Sequence, residues 1–441
     1  MIRRMATNPI SQFPAGFLWG VSTSAHQIEG AADEREPSVW DAFTAEPGRV
    51  KDGSTAAVAC DHYHRYAEDV ALLADLGVDA YRFSVSWPRV NSPGGLDFYD
   101  RLVDELCAAG VRPVPTLFHW DLPLALDWLD RDTAARFAEY AARVAERLGD
   151  RVTKWITLNE PAEHTLLGHA LGAHAPGRQL LFDALPAAHH QLLAHGLAVR
   201  ALRAAGVTDI GIANSHGPTW PASQEPADLE AAAFYDLLLN RLFSDPLLLG
   251  RYPEGIGELM PKGSAGIESD LKVIAEPIDW YGINYYAPTK VGAPQGAEIE
   301  FGGLTLPAEL PFSVREIEGH PVTDFGWPVV PQALTELLTG FRERFGDRLP
   351  PIVITENGCS YEGIDDQERI AYLDGHVRAL HRAVEAGVDV RGYFVWSLLD
   401  NFEWAEGYER RFGLVHVDYD TLERTPKASY GWLRDALRAR R

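Results

Sequence analysis

The sequence predicts an α/β protein built as one (β/α)8 barrel, a single catalytic domain spanning residues 1–441. Three observations predict it. Eight short runs rich in β-branched and aromatic residues recur along the chain, amphipathic helical patterns separate them, and no low-complexity linker divides the whole. Strands alternating with helices point to a parallel sheet, and eight of them favour closure, because a closed sheet has no edge to protect.

Taken in order, the first run is FLWGVSTSA from Phe17, followed after His64 by the helical pattern YAEDVALLADLG. DAYRFSVSW from Asp79 leads into FYDRLVDELCAAG, and VRPVPTLFHW from Val111 leads into TAARFAEYAARVAERLG. The fourth, fifth and sixth runs are VTKWITLNE from Val152, DIGIANSH from Asp209 and DWYGINYY from Asp279. Residues Gly292 to Val322, rich in Gly, Pro and Glu without a clear period, read as a long excursion after the sixth strand. PIVITENG from Pro351 precedes the helical QERIAYLDGHVRALHRAVEAG, and VRGYFVWSLLD from Val390 is the eighth run. Each of these four helical segments ends in glycine, a usual C-terminal stop.

Composition narrows the function. The 441 residues carry 40 basic and 63 acidic side chains, a net charge of −23, which excludes a dedicated nucleic-acid backbone binder. Cys60, Cys107 and Cys359 lie far apart without CxxC spacing, so neither a disulfide framework nor a zinc ribbon is expected, and reduced cytoplasm is the simpler location. The start, MIRRMATNPISQFPAGFLWG, has no apolar core before Pro9 and Pro14, and no stretch reaches the ~18 apolar residues of a membrane span. Neither secretion nor a membrane partner is expected.

In a (β/α)8 barrel the chemistry sits at the C-terminal ends of the strands. Those ends hold His26 and Gln27 just beyond the first run, Arg82 in the second, His119 and Trp120 in the third, and Asn159 and Glu160 in the fourth. Asn284, Tyr285 and Tyr286 close the sixth, Glu356 and Asn357 the seventh, and Trp396 stands at the end of the eighth. Glu160 and Glu356, three strand positions apart, should face each other across the barrel mouth. Paired carboxylates in an aromatic-lined polar cleft suit cleavage of a small-molecule glycoside, one protonating the leaving oxygen and the other meeting an oxocarbenium-like carbon. Pyranose rings have an apolar face and a hydroxyl rim, matching flat side chains such as Trp120, Trp396 and Trp404 beside bidentate groups such as Gln27, Asn159 and Glu403. Such chemistry needs no metal or other cofactor. His62, His64, His189, His190 and His195 lack the spacing of a ligand set, and surface or capping places are expected for them. Cys359 is expected to be an unreactive neighbour of Glu356.

FLWGVSTSAHQIEGA, YRFSVSWPR, TLFHWDLP, TLNEP, GINYY, ITENG, WSLLDNFEW and RFGLVHVDYDTLERTPKAS stand in this order from about Phe13 to the C-terminal helix. With them the chain resembles the family 1 glycoside hydrolases, the β-glucosidase family. The resemblance implies a retaining enzyme with Glu160 as acid/base and Glu356 as nucleophile. It also implies a glycone-binding set of Gln27, His119, Trp120, Asn159, Glu403 and Trp404, with Trp396 as sugar platform. Asn284, Tyr286 and Arg82 should surround the nucleophile, and Trp327 should wall the aglycone side. Ala162 replaces the bulky aromatic usual after TLNEP, which is expected to widen the aglycone mouth, and the loops LPLALDWLDRDT and CSYEGIDDQERI look compact. Glu403 and Trp404 stand where the family's 6-phosphoglycosidases carry Ser and Lys, so an unphosphorylated glucoside is expected. A β-galactosidase, β-fucosidase or transglycosylating variant of the same site remains the alternative, and a non-catalytic sugar-binding barrel the rival of another class. Two carboxyls in one partly desolvated cleft predict that Glu356, helped by Arg82 and Tyr286, ionises first and raises the pKa of Glu160.

Overall fold

The computed structural model describes residues 8–256, 267–301 and 304–440. The basic start MIRRMAT and positions 302–303 of the excursion lie outside the described residues. All eight runs form strands: β1 (Leu18–Ser22), β2 (Ala80–Ser84), β3 (Arg112–Phe118), β4 (Lys154–Asn159), β5 (Asp209–Ser215), β6 (Trp280–Asn284), β7 (Ile352–Asn357) and β8 (Val390–Trp396). They pair in parallel in chain order, and β8 returns to β1 with Leu18 opposite Gly392 and Ser22 opposite Trp396, closing the barrel.

Helices follow the strands: α1 (His62–Leu76), α2 (Gly95–Ala108), α3 (Asp132–Leu148), α4 (Leu185–Ala204), α5 (Ile267–Ile274), α6 (Pro331–Phe345), α7 (Gln367–Glu385) and α8 (Ala428–Arg438). In α3 the buried Phe137, Tyr140, Ala141, Val144 and Leu148 recur at three- and four-residue spacing, so one stripe packs inward while charged residues face out. Gly77, in the left-handed region at φ 77°, stops α1 as its position in the sequence implied.

Inside the barrel, period-two alternation sorts the layers. Leu18, Ala80, Val114, Ile156, Ala213, Trp280, Val353 and Phe394, one from each strand, form a buried apolar cluster of their own. Two residues further along their strands stand Arg82, Thr116, Thr355 and Trp396, all buried. An apolar plug therefore closes the barrel below, and a mostly polar layer lies above it towards the strands' C-terminal ends.

The excursion after β6 is present, but it is not without regular structure. Thr289–Gly292 pairs with Ser313–Arg315 on one side and Thr219–Pro221 on the other, making a three-stranded sheet over the mouth. Strands of three or four residues are too short to leave a readable period. The histidine expectation needs correction. His64 is exposed and faces the Asp61 cap of α1, but His62, His189 and His195 are buried and His190 is half-buried. His62 meets Asp69 at 2.8 Å, His195 meets Thr157 at 2.7 Å and His189 meets Asp270 at 3.0 Å, so helix packing uses these rings singly. Among the described residues no helix is long and apolar enough to cross a membrane.

Gly196 is where α4 passes closest to α5, and a Cβ there would collide with the Val273 carbonyl oxygen. Gly196→Ala should therefore lower stability by about 1–3 kcal/mol, the usual range for overpacking. Gly431 in α8 has open space around it, so Gly431→Ala should instead stabilise the helix by about 0.5–1 kcal/mol. Urea unfolding of both variants checks the pair, and equal shifts would contradict the close α4–α5 approach.

Candidate active site

Strict alternation cannot bring both Thr355 and Glu356 into the barrel. Yet Thr355 Oγ1 donates to Asn284 Oδ1 inside it at 2.6 Å, and Glu356 lines the cavity above. The pairing of β7 with β6 slips between Ile354 and Glu356, and that irregularity turns the glutamate inward. β4 does the same, its register with β5 slipping between Ile156 and Asn159, so that Asn159 also enters the polar layer. Glu160 follows at φ 44°, in the left-handed region, its amide donating to the Ala213 carbonyl at 2.8 Å. Trp120, Leu181 and Trp404 also have positive φ, and all four line the same cavity. Each such residue costs about 1–3 kcal/mol, and such strain gathers at functional sites.

The cavity has a volume of about 580 Å3. Of the thirteen residues expected from the sequence, nine reach its wall: His119, Trp120, Glu160, Tyr286, Trp327, Glu356, Trp396, Glu403 and Trp404. Gln27, Arg82, Asn159 and Asn284 are fully buried just behind it. Arg82 Nη1 donates to Glu356 Oε1 at 2.6 Å and Nη2 to Asn159 Oδ1 at 2.6 Å. Tyr286 donates its hydroxyl to Glu356 Oε2 at 2.6 Å. Asn284 donates to Glu160 Oε1 at 2.8 Å and its side chain also eases the charge of Glu356, so it serves both carboxyls. Asn159 has little left for a ligand, since Oδ1 accepts from Arg82 and Asn284 while Nδ2 faces His119 Nε2 at 3.0 Å. Gln27 Nε2 donates to the Phe402 carbonyl at 3.0 Å and to Glu403 Oε2 at 3.2 Å, and Ser24 fixes its carbonyl oxygen at 2.6 Å. Trp396 and Trp404 both stack on His119, at 5.7 and 5.9 Å. Trp327 packs on Tyr286 at 5.3 Å.

The two carboxyls differ in surroundings and hence in proton affinity. Burial first, then the charges of Glu356 and Glu163, push Glu160 well above the usual carboxylate range, with Asn284 and Arg82 opposing. Burial also raises Glu356, but Arg82 and Tyr286 work against it, so Glu356 is the first of the pair to ionise. Burial, then Glu356 and Glu406, push Glu403 up to about 8. Burial and Arg82 keep His119 neutral. An anion and a proton donor can thus coexist across one cleft. Cys359 is buried, and burial pushes its thiol up to about 12, so it is inert.

Sequence reasoning missed several groups. Thr116 accepts from Arg82 Nε at 3.1 Å and Thr355 orients the Asn284 amide, but a lone strand threonine carries no visible signal. Glu163 lines the cavity, and a second carboxyl so soon after Glu160 was the available clue. The expectation at Ala162 needs correction: Ala162 is 1% exposed and packs in the core, so Glu163 is the residue of this turn that borders the opening.

A family model described as "Glycosyl hydrolase family 1" matches residues 10–441. The chain is 46% identical to the "Thermostable beta-glucosidase B" of Thermobispora bispora over 97% of this chain and 90% of that one. It is 42% identical to the "Bifunctional beta-D-glucosidase/beta-D-fucosidase" of Bifidobacterium breve, covering 96% and 97% of the two chains. Among solved structures, a psychrophilic beta-glucosidase from Micrococcus antarcticus superposes with a TM-score of 0.91 at 44% identity, over 98% of this chain and 99% of that one.

Tyr286 holds down the pKa of Glu356 by donating to its carboxylate. Tyr286→Phe should therefore shift the titration of Glu356 to higher pH. Carbon-13 NMR of labelled glutamate carboxyls reads this directly, and a shift to lower pH would contradict the assignment of the hydrogen bond.

Proposed function

The chain belongs to glycosyl hydrolase family 1, and from that premise we propose how its two carboxyls divide the work of a retaining β-glucosidase. The observation that carries the division is the asymmetry around them. Glu356 has a buried cation and a phenol on its two oxygens, whereas Glu160 has one amide. The substrate is the terminal non-reducing β-D-glucosyl residue of a small unphosphorylated glucoside, bound between the Trp396 platform and the polar end at Glu403, which Gln27 steadies.

In the first step the Glu356 carboxylate attacks the anomeric carbon while protonated Glu160 gives its proton to the departing oxygen. Glu356 is now a neutral ester. The second-largest cause of Glu160's high proton affinity was the Glu356 charge, and it has gone. Glu160 becomes a stronger acid, rests as the carboxylate and takes a proton from the incoming water. Water attacks the face the first alcohol left, so two inversions return the β configuration. β-D-Fucosides are a second substrate of the same site, favoured by the bifunctional relative. A non-catalytic sugar-binding role is disfavoured because both carboxyls are retained. We also place the enzyme in the cytoplasm, on the strength of its three unpaired cysteines.

The roles separate by leaving group. Glu356→Gln should abolish turnover of alkyl and activated aryl glucosides alike. Glu160→Gln should cut alkyl glucosides by roughly 10²–10⁴ yet spare bond breaking for a dinitrophenyl glucoside. That variant should show a burst of phenolate before a slow steady state, and azide, which needs no base, should speed the slow phase and yield a β-glycosyl azide. Equal losses for both substrates in both variants, without burst or rescue, would reject the division of labour.

A further inference from the structure

Beyond Glu160 the cavity changes character. Its outer walls are largely apolar, with Leu166, Leu171, Phe182, Leu238, Leu306 and Phe312 facing the space. The polar side chains there are mostly spent on one another. His216 Nδ1 meets Asn240 Oδ1 at 3.0 Å, Asn240 Nδ2 donates to the Gly217 carbonyl at 3.0 Å, and Thr165 donates to the Pro161 carbonyl at 2.7 Å. Tyr235 donates its hydroxyl to Thr289 Oγ1 at 3.5 Å and turns its ring edge-on to Phe312. At the rim Lys51 is paired with Glu406 at 2.6 Å and Arg49 with Glu46 at 2.8 Å.

Glu163 is different. It ends the turn Pro161–Glu163, three residues beyond Glu160, and borders the same space. Glu163 lines the cavity together with Glu160, Tyr235 and Phe312, so it borders both the acid/base and the apolar wall. Burial raises the proton affinity of this carboxyl, and Ser215 is the neighbour that opposes the rise. A carboxyl so placed would be a poor companion for a wholly apolar ligand, because such a ligand would desolvate it further and leave Ser215 as its one named partner.

We propose that Glu163 is the polar anchor of the leaving-group site, and that the leaving group is a ring-bearing, mostly apolar alcohol or phenol presenting one hydrogen-bond donor to it. The proposal deepens the glucosidase reading and rests on it, since Glu160 must hold the glycosidic oxygen. Glu163 and Glu160 line the same space, so the donor belongs on the part of the ring away from that oxygen. A second sugar fits less well. Its ring is fringed with hydroxyls on every side, and most would meet leucine and phenylalanine with no partner.

The test compares 4-hydroxyphenyl and 4-methoxyphenyl β-glucosides, which are matched in ring and leaving oxygen but only one of which has a donor. In the wild-type enzyme kcat/KM should favour the hydroxyl compound about tenfold, as a strong hydrogen bond to a buried carboxyl would. Cellobiose should fall below both. In Glu163→Leu the hydroxyl-to-methoxy ratio should collapse to about 1. Should that variant not fold, Glu163→Gln, which keeps one acceptor oxygen, should still lower the ratio at least threefold. A wild-type ratio within twofold of 1, or a ratio that survives the loss of the Glu163 carboxylate, overturns the anchor and leaves the glucosidase reading standing. No turnover of any β-glucoside by the wild-type enzyme overturns both.

Discussion

A cation buried in the barrel is the constraint on which the rest of this site depends. Arg82 has no exposure to water, and its guanidinium is satisfied only by what three other strands bring to it. Nε donates to Thr116 on β3, Nη2 to Asn159 on β4, and Nη1 to both the Thr355 carbonyl and the Glu356 carboxylate on β7. Removing an ion from water costs several kcal/mol even after relaxation, so the pair holds only with this full complement of partners. The requirement explains both strand irregularities. Asn159 and Glu356 must reach Arg82, and regular alternation would aim neither of them there. It also bears on the proposed chemistry: esterification of Glu356 leaves Arg82 without its anion, and hydrolysis of the ester restores the pair. The second step is thus driven in part by the same electrostatics that holds the barrel interior together.

Most of the fold was legible in the sequence because its signals are local. Each strand carries a dense apolar run, and helices such as α1 and α3 show clean stripes ended by glycine. The ends of those runs also located both carboxyls, His119, Trp120 and Trp396. What escaped was whatever depends on breaking a period or on distant packing. A slipped register has no compositional mark, so nothing in ITENG says that Thr355 and Glu356 face the same way. The buried His195 looks in sequence like any polar residue on a helix, until α4 packs against β4 and Thr157 meets its ring. The sheet that includes Thr289–Gly292 forms from pieces too short to show alternation. Ala162 misled because a small residue beside a motif was read as a hole, whereas the chain turns it into the core.

Below the polar layer, the apolar plug contributed by all eight strands is a sealed and ordinary core. Above it the structure departs from regular geometry repeatedly. His164–Ala170 and Leu237–Arg241 are π-helical turns, each inserting an extra residue, and both present side chains to the outer cavity. Such turns are seldom retained without a functional reason, since their hydrogen bonding is poorer than that of an α-helix. Together with the left-handed Trp120, Glu160, Leu181 and Trp404, half of the eight positive-φ non-glycine residues among those described, they show that much of the strain falls on the walls of one cavity. The plug supplies the stability that makes that strain tolerable.

This separation of layers also explains why sugar recognition and leaving-group recognition can differ so much in one continuous space. The end proposed for the sugar is built on strand termini and on side chains pinned by the Arg82 network and by Gln27, so its geometry follows from the barrel itself. The outer end is built from the π-helical turns, from the turn carrying Glu163 and from the sheet after β6, none of which contributes a strand to the barrel. Changes there can alter what departs without disturbing what is cleaved. A polar layer fixed by buried charge, under an apolar chamber shaped by irregular loops, leaves the pair of carboxyls in one fixed frame while the surrounding walls can differ without disturbing it.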